Sequence, residues 1–211
     1  MTIREALSRF LKPKTPAQRA RENLLSVSLG KGDIAIDCGA NVGLITQHLC
    51  SSGATVYAFE PNPHAFTVLQ DTFSDVQNVH CIPKGVSHRT GTMKLYLHEH
   101  SAEDEVHWST GSSLLDFKGN VLIDKHVTVQ VIDLCEFVAS LHHRVRVLKM
   151  DVEGAECPIL DKLINTGVID KIDYAFVETH DDKIPELAAE TNAIRRLITT
   201  RGIRNIDLAW P

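Results

Sequence analysis

"DIAIDCGANVGLITQHL", residues 33–49, sets an apolar run, a glycine turn and a helical pattern in immediate succession. The run 33–37 has the length and the branched residues of a buried strand. Gly39 and Gly43 let the backbone turn sharply and approach a ligand closely, and the helix near 42–51 is expected to offer free N–H groups at its start. The glycine spacing is G-x-x-x-G, with Asp37 just before it. A pyrophosphate-binding turn requires G-x-G-x-x-G and no adjacent acid. An acid at this place repels phosphate and suits an ammonium group. The turn Asp37, Gly39, Ala40, Asn41 and Gly43 therefore favours S-adenosylmethionine, a sulfonium with an amino-acid tail, over NAD. A plain strand-to-helix turn remains the alternative for this motif alone.

Outward from that unit, strand-like runs alternate with helical patterns. Runs at 55–60, 79–82, 144–150 and 171–178 are separated by helix patterns near 63–74, 155–166 and 184–201. This order predicts an α/β fold, a mostly parallel doubly wound sheet. Two further runs, 92–98 and 126–132, read as an inserted hairpin around a polar excursion, 99–125, that is a candidate lid. The charge run "HEHSAEDEVH" (98–107) reads as a solvated loop or, with Trp108, as a lid over the acceptor. Residues 1–25 read as a helical segment, with Ile3, Leu7, Phe10 and Leu11 at helical spacing. No linker divides the chain, so residues 1–211 are expected to form one domain.

The second strand, "TVYAFEPNP", ends in Glu60. A carboxylate at this point can accept both hydroxyls of an adenosine ribose. Pro61 and Pro63 stop the strand and start the next helix. Pro61 and the backbone around Gly85 and Val86, at the exit of the third strand, border the adenine in this reading. The carboxylates Asp151, Glu153 and Glu156 crowd "KMDVEGAE" (149–156), and "VETH" (177–180) brings Glu178 and His180 to a second strand exit. Ligands of open α/β sheets sit beyond such exits. Asp151, Glu153, Glu178 and His180 are thus the candidate catalytic residues, with His180 as proton acceptor near neutral pH. The same four residues are an alternative ligand set for Mg²⁺ or Mn²⁺. Glu156 is read as a helix-capping charge.

The motifs "DCGANVG", "FEPNP", "STGSSL" (109–114), "KMDVEGAE" and "VETH" together resemble the FkbM-type S-adenosylmethionine-dependent methyltransferases. The resemblance runs from about residue 33 to about 180, and "DVEGAE" is its most specific part. It implies the Rossmann-like class I methyltransferase fold with seven strands, and O-methylation of a hydroxyl on a small molecule or sugar. The single short run "RNIDLAW" (204–210) departs from the family's terminal strand pair, so the C-terminal sheet edge is expected to be incomplete.

Composition narrows the partners. Net charge is −5 and no Lys/Arg-rich block occurs, so nucleic acid is not expected as a partner. Five scattered cysteines without a CxxC pair exclude a disulfide framework or zinc knuckle and point to a cytoplasmic protein. No apolar run is long enough for a membrane span. Two competing functions remain at this level. An NAD-binding oxidoreductase is disfavoured by the glycine spacing and the lack of a Tyr-x-x-x-Lys pair. A non-catalytic nucleoside-binding module leaves the acidic strand ends without a purpose.

Overall fold

The computed structural model describes the backbone of residues 13–98 and 121–211, with side chains described for 13–96 and 126–211. The expected lid at 99–125, the "STGSSL" motif and the helical spacing at residues 3–11 lie outside these side-chain ranges.

Helix α1 (Pro16–Ser26) starts with a capping box: the Thr15 hydroxyl accepts from Gln18 N, and the Gln18 side chain accepts from Thr15 N. Pro16 fits the first turn, where its missing N–H costs nothing. Strand β1 (Ile34–Cys38) leads into α2 (Leu44–Cys50), and β2 (Thr55–Phe59) into α3 (Pro63–Thr72). Asn62 caps α3 by accepting from His64 N and Ala65 N, with Pro63 as its first residue. Then follow β3 (Val79–Ile82), β4 (Gly85–Ser87), β5 (Gly91–His98), β6 (Val121–Asp133) and α4 (Leu134–Ser140). The chain continues with β7 (Val145–Met150), α5 (Glu156–Asn165), β8 (Ile172–Val177), α6 (Ala188–Arg201) and β9 (Ile206–Asp207).

The main sheet has the order β3-β2-β1-β7-β8-β9, and every pairing in it is parallel. Parallel strands need helical crossovers that cover both faces, and the burial pattern shows both covered. Ile34, Ile36 and Cys38 of β1 pack with α4, α5 and α6 through Leu134, Val138, Leu160, Leu163 and Ile194. Ala35, on the other face, clusters with Val56 and Val147 against Leu24 of α1, Leu49 of α2 and Trp210. The fold is therefore the doubly wound α/β sheet that the alternating pattern predicts.

Two details differ from expectation. The resemblance implies seven strands, whereas the main sheet has six among the described residues, ending in the short C-terminal edge that the run 204–210 leads one to expect. Its last strand, β9, makes two residue pairs with β8, Ala175 with Ile206 and Phe176 with Asp207. The expected hairpin exists as the antiparallel pair β5–β6, but β4 joins β6 in parallel to make a separate three-stranded sheet.

The seam between β1 and β7 carries an unusual pair. Register sets Asp37 opposite Lys149, and both are almost fully buried. Lys149 Nζ lies 3.4 Å from Asp37 Oδ1 and donates to the Gly39 carbonyl at 2.8 Å. The Thr46 hydroxyl of α2 donates to Asp37 Oδ2 at 2.7 Å. Burial alone would lower the lysine's pKa, but Asp37 and Asp151 outweigh it and hold it raised, so the ammonium stays charged. Just beyond the seam, Asp151 N donates to Cys38 O and the two chains run so close that a Cβ on Gly39 would collide with the Asp151 carbonyl. Gly39 also has φ +74°, a left-handed conformation that disfavours any side chain.

Gly39→Ala should therefore cost about 3 kcal/mol or more of stability, read from denaturant melts, because a backbone carbonyl must move. Lys149→Met should cost about 3–5 kcal/mol by stranding the Asp37 charge. The Asp37→Asn, Lys149→Met double variant should be more stable than Lys149→Met alone; equal melts for the two would show that Asp37 is not the lysine's essential partner.

Candidate active site at the carboxyl ends of the strands

The carboxyl ends of β2, β1, β7 and β8 lie side by side and are laced together by charged side chains. At the β2 end, Glu60 is buried, with Oε2 accepting from Asn41 N and Oε1 from Asn62 N, both at 2.8 Å. Burial raises its pKa to about 7, against the two backbone donors and Lys149, which lower it. Glu60 N donates to Ile82 O, which brings the β2 and β3 exits together. Gly85 sits against Pro61, where a Cβ would be 3.5 Å from the proline ring, and Val86 is buried beside it. Glu60, Pro61, Gly85 and Val86 are thus neighbours around one corner of the sheet edge.

The glycine turn is held by hydrogen bonds of its own backbone. Gly39 N and Ala40 N both donate to Phe59 O, Asn41 N to Glu60, Val42 N to Asn41 Oδ1 and Gly43 N to Ala40 O. These N–H groups of residues 39–43 are spent inside the protein, while the start of α2 after Gly43, where the free donors are expected, has no side-chain cap. Asp37 differs from expectation. Its carboxylate is fully buried against Thr46 and Lys149, so a ligand's ammonium does not meet it directly.

The acidic strand exits do converge. Asp151 N continues the β1–β7 ladder and Glu178 N donates to Met150 O, so the two carboxylates leave adjacent strands at one level. The chain then turns tightly, with Glu153 at φ 60° and Gly154 at φ 113°. A positive φ in a non-glycine residue is strain held by its surroundings. What holds it is Glu156, whose Oε1 accepts from Val152 N at 2.9 Å and Gly154 N at 3.2 Å. Glu156 stands in the first turn of α5, the helix start expected of it, and also clamps the turn before the helix.

His180 opens a short 3-10 turn (His180–Asp182) and is 1 % exposed. Its Nε2 lies 3.2 Å from Glu153, 3.6 Å from Glu178 Oε1 and 3.7 Å from Asp151 Oδ1, and its Nδ1 lies 3.2 Å from Glu156. None of these carboxylates lines up with a ring N–H as a directional hydrogen bond, so the attraction is chiefly electrostatic. Burial opposes the charged imidazole, but Glu153 and Glu156 outweigh it and push its pKa up to about 10. A histidine held cationic at neutral pH has no lone pair to accept a proton. This corrects its expected role as the proton acceptor.

Burial and the nearby Asp151 charge raise the pKa of Glu178, against Lys183, which donates to Oε1 at 2.6 Å. Asp151 is the more open of the central carboxylates, its side chain 26 % exposed. Lys149, 3.7 Å from Asp151 Oδ2, physically joins the glycine turn to this cluster. Sequence reasoning missed Lys149. Its signal was a cation at an inward position of a strand whose two faces are both buried.

All five cysteines are free, as their spacing predicts. No helix among the described residues is long and apolar enough to cross a membrane.

Comparison with known proteins gives the family. The profile of the methyltransferase FkbM domain matches residues 37–204. A hexuronic acid methyltransferase, AglP, of Haloferax volcanii is 29 % identical over 160 residues, covering 74 % of this chain but only 60 % of the archaeal protein. Methyltransferase 1 of Beauveria bassiana is 28 % identical over 170 residues, covering 74 % of this chain and 68 % of the fungal one. Among solved structures, an rRNA methylase from Streptococcus thermophilus aligns with TM-score 0.45 at 14 % identity, over 89 % of this chain and 81 % of that one. A precorrin 8W decarboxylase from Methanobacterium thermoautotrophicum aligns with TM-score 0.43 at 13 % identity, over 93 % and 77 %. With the matched profile spanning the glycine turn, Glu60 and both acidic strand exits, the chain belongs to the FkbM methyltransferase domain family.

Proposed function

We propose that this chain works as one domain that transfers a methyl group from S-adenosylmethionine to a hydroxyl oxygen of a small-molecule or sugar acceptor. The observation that carries the reading is the set of carboxylates gathered at the β7 and β8 exits and tied through Lys149 to the glycine turn. The donor's ribose hydroxyls fit Glu60, because each carboxylate oxygen takes one backbone N–H and keeps a lone pair for a ligand. Pro61, Gly85 and Val86 border the adenine. The turn from Gly39 to Gly43 carries the amino-acid tail by close backbone approach, with Asp37 acting from behind through Lys149. The name of the archaeal relative, a hexuronic acid methyltransferase, favours a sugar acceptor.

When bound, S-adenosylmethionine supplies an electrophilic methyl whose carbon–sulfur bond breaks as the acceptor oxygen forms its bond to carbon. The protein must align the acceptor and take up the hydroxyl proton. Alignment can contribute ~7–11 kcal/mol of barrier lowering. A general base contributes ~10²–10⁴-fold, roughly 3–5 kcal/mol. Asp151 is the residue for the proton, since it is the accessible carboxylate of the cluster. His180 is a positioning residue: its positive charge holds Glu153 and Asp151 in place. Glu178 completes the acceptor side. A nicotinamide oxidoreductase fits less well, because the turn reads G-x-x-x-G and lacks the G-x-G-x-x-G that a pyrophosphate requires.

The test is product analysis. The full chain, incubated with isotopically labelled methyl donor and a panel of hexose and uronic-acid glycosides, should yield a product whose methyl is bonded to oxygen by NMR; methyl on nitrogen or carbon would overturn the reading. Asp151→Asn should leave donor affinity intact by calorimetry and slow transfer by roughly 10²-fold or more; an unchanged rate would remove Asp151 from the chemistry.

Donor binding should also depend on pH through Glu60. Ribose hydroxyls donate to the ionised carboxylate, whereas burial raises the free protein's Glu60 pKa to about 7. Binding below that pH must first displace a proton. Affinity for S-adenosylhomocysteine should therefore fall as pH drops through 7, by up to about tenfold per unit, and level off above it. The Glu60→Gln variant should bind more weakly and show no such slope.

A further inference from the structure

We infer that the β7 and β8 exits form a binding site for a divalent first-row metal ion of the Mn²⁺ kind, ligated by Asp151 Oδ1, a Glu178 carboxylate oxygen and His180 Nε2. One ligand atom from each of these residues lies within 4.8 Å of the other two. His180 Nε2 is 3.6 Å from Glu178 Oε1 and 3.7 Å from Asp151 Oδ1. An octahedral ion about 2.1 Å from its ligands holds adjacent ones about 3 Å apart and opposite ones about 4.2 Å apart. Small side-chain rotations close the difference.

Acidic clusters are common without an ion, and the cluster alone would carry nothing. The second observation is His180 itself. It is 1 % exposed, it points into the cluster, and both its ring nitrogens lack a directional hydrogen-bond partner. Asp151 Oδ1 is likewise buried with no hydrogen-bond partner, whereas Oδ2 of the same group faces Lys149. Unpartnered buried polar atoms are costly, and two of them converge on one point. Glu156, 3.2 Å from Nδ1, stands where the carboxylate behind a metal-bound histidine stands.

Charge favours a cation as well. Asp37, Asp151, Glu153, Glu156 and Glu178 gather here against Lys149, Lys183 and the proton on His180, which a bound ion displaces from Nε2. Lys183 sits on Glu178 Oε1, yet its side chain is 57 % exposed, so it can swing into solvent and yield its place. The mixed ligand set chooses the ion: carboxylates suit hard ions, and an imidazole nitrogen disfavours Mg²⁺ and Ca²⁺ relative to Mn²⁺. If the methyl-transfer reading holds, the ion is placed to bind the acceptor's hydroxyl and ease its deprotonation. Binding of the ion does not depend on that reading.

The experiment is a Mn²⁺ titration of the chelator-treated full chain, followed by the electron paramagnetic resonance of the free aquo ion. About one Mn²⁺ per chain should be taken up, and Glu178→Gln or Asp151→Asn, shown folded by circular dichroism, should weaken uptake at least tenfold. Lys183→Ala, an exposed change that removes the competing cation, should tighten it. Full retention of the free-ion signal by the wild-type chain would overturn the site, as would uptake unchanged in both Glu178→Gln and Lys183→Ala. Stoichiometric uptake without any O-methylated product would leave the metal site standing and count against the reaction.

Discussion

The buried pair of Asp37 and Lys149 is the constraint on which the site depends. Neither charge could stay where it is alone, because an unpaired buried ion costs several kcal/mol. Register across the β1–β7 seam places them opposite each other, and Thr46 and the Gly39 carbonyl take up further hydrogen bonds. The pair fixes the glycine turn relative to the β7 exit. It also carries positive charge to within reach of Asp151, which makes a dense group of carboxylates tolerable nearby.

The electrostatics follow from that anchor. Strand exits in a parallel sheet are held at one level by the ladder, so Asp151 and Glu178 cannot move apart to relieve their repulsion. The protein supplies compensation from three directions: Lys149 from the β1 side, Lys183 from outside and His180 from above. Glu156 serves both parts, bonding the strained Glu153–Gly154 turn and facing the imidazole. Strain and like charge held together at one set of strand exits are the features expected where a protein spends stability on chemistry.

Misreadings of individual residues had identifiable causes. His180 in a sequence is a group that titrates near neutral pH, and only its burial among carboxylates makes it a cation in the ion-free chain. Glu156 is the helix-start charge it looks like, and only the backbone of the preceding turn reveals its second role as a clamp. Strand β4 is three residues long and pairs with β6, far away in the chain, so no local period announces it. Helix α4 is too short for a helical period to stand out.

The amino-acid sequence by itself determined the alternation of strands and helices, because apolar period and glycine position are local properties that the chain carries wherever it goes. It also marked Glu60, Asp151, Glu178 and His180 as strand-exit residues, since a strand's end is visible in the residues that end it. Only the tertiary structure decided what those residues face. Strand order, not sequence order, puts β1 beside β7 and so joins Asp37 to Lys149 across more than a hundred residues. Burial then sets their charge: whether a side chain is a base, a cation or a clamp depends on neighbours brought together by packing, and those lie beyond the reach of any local pattern.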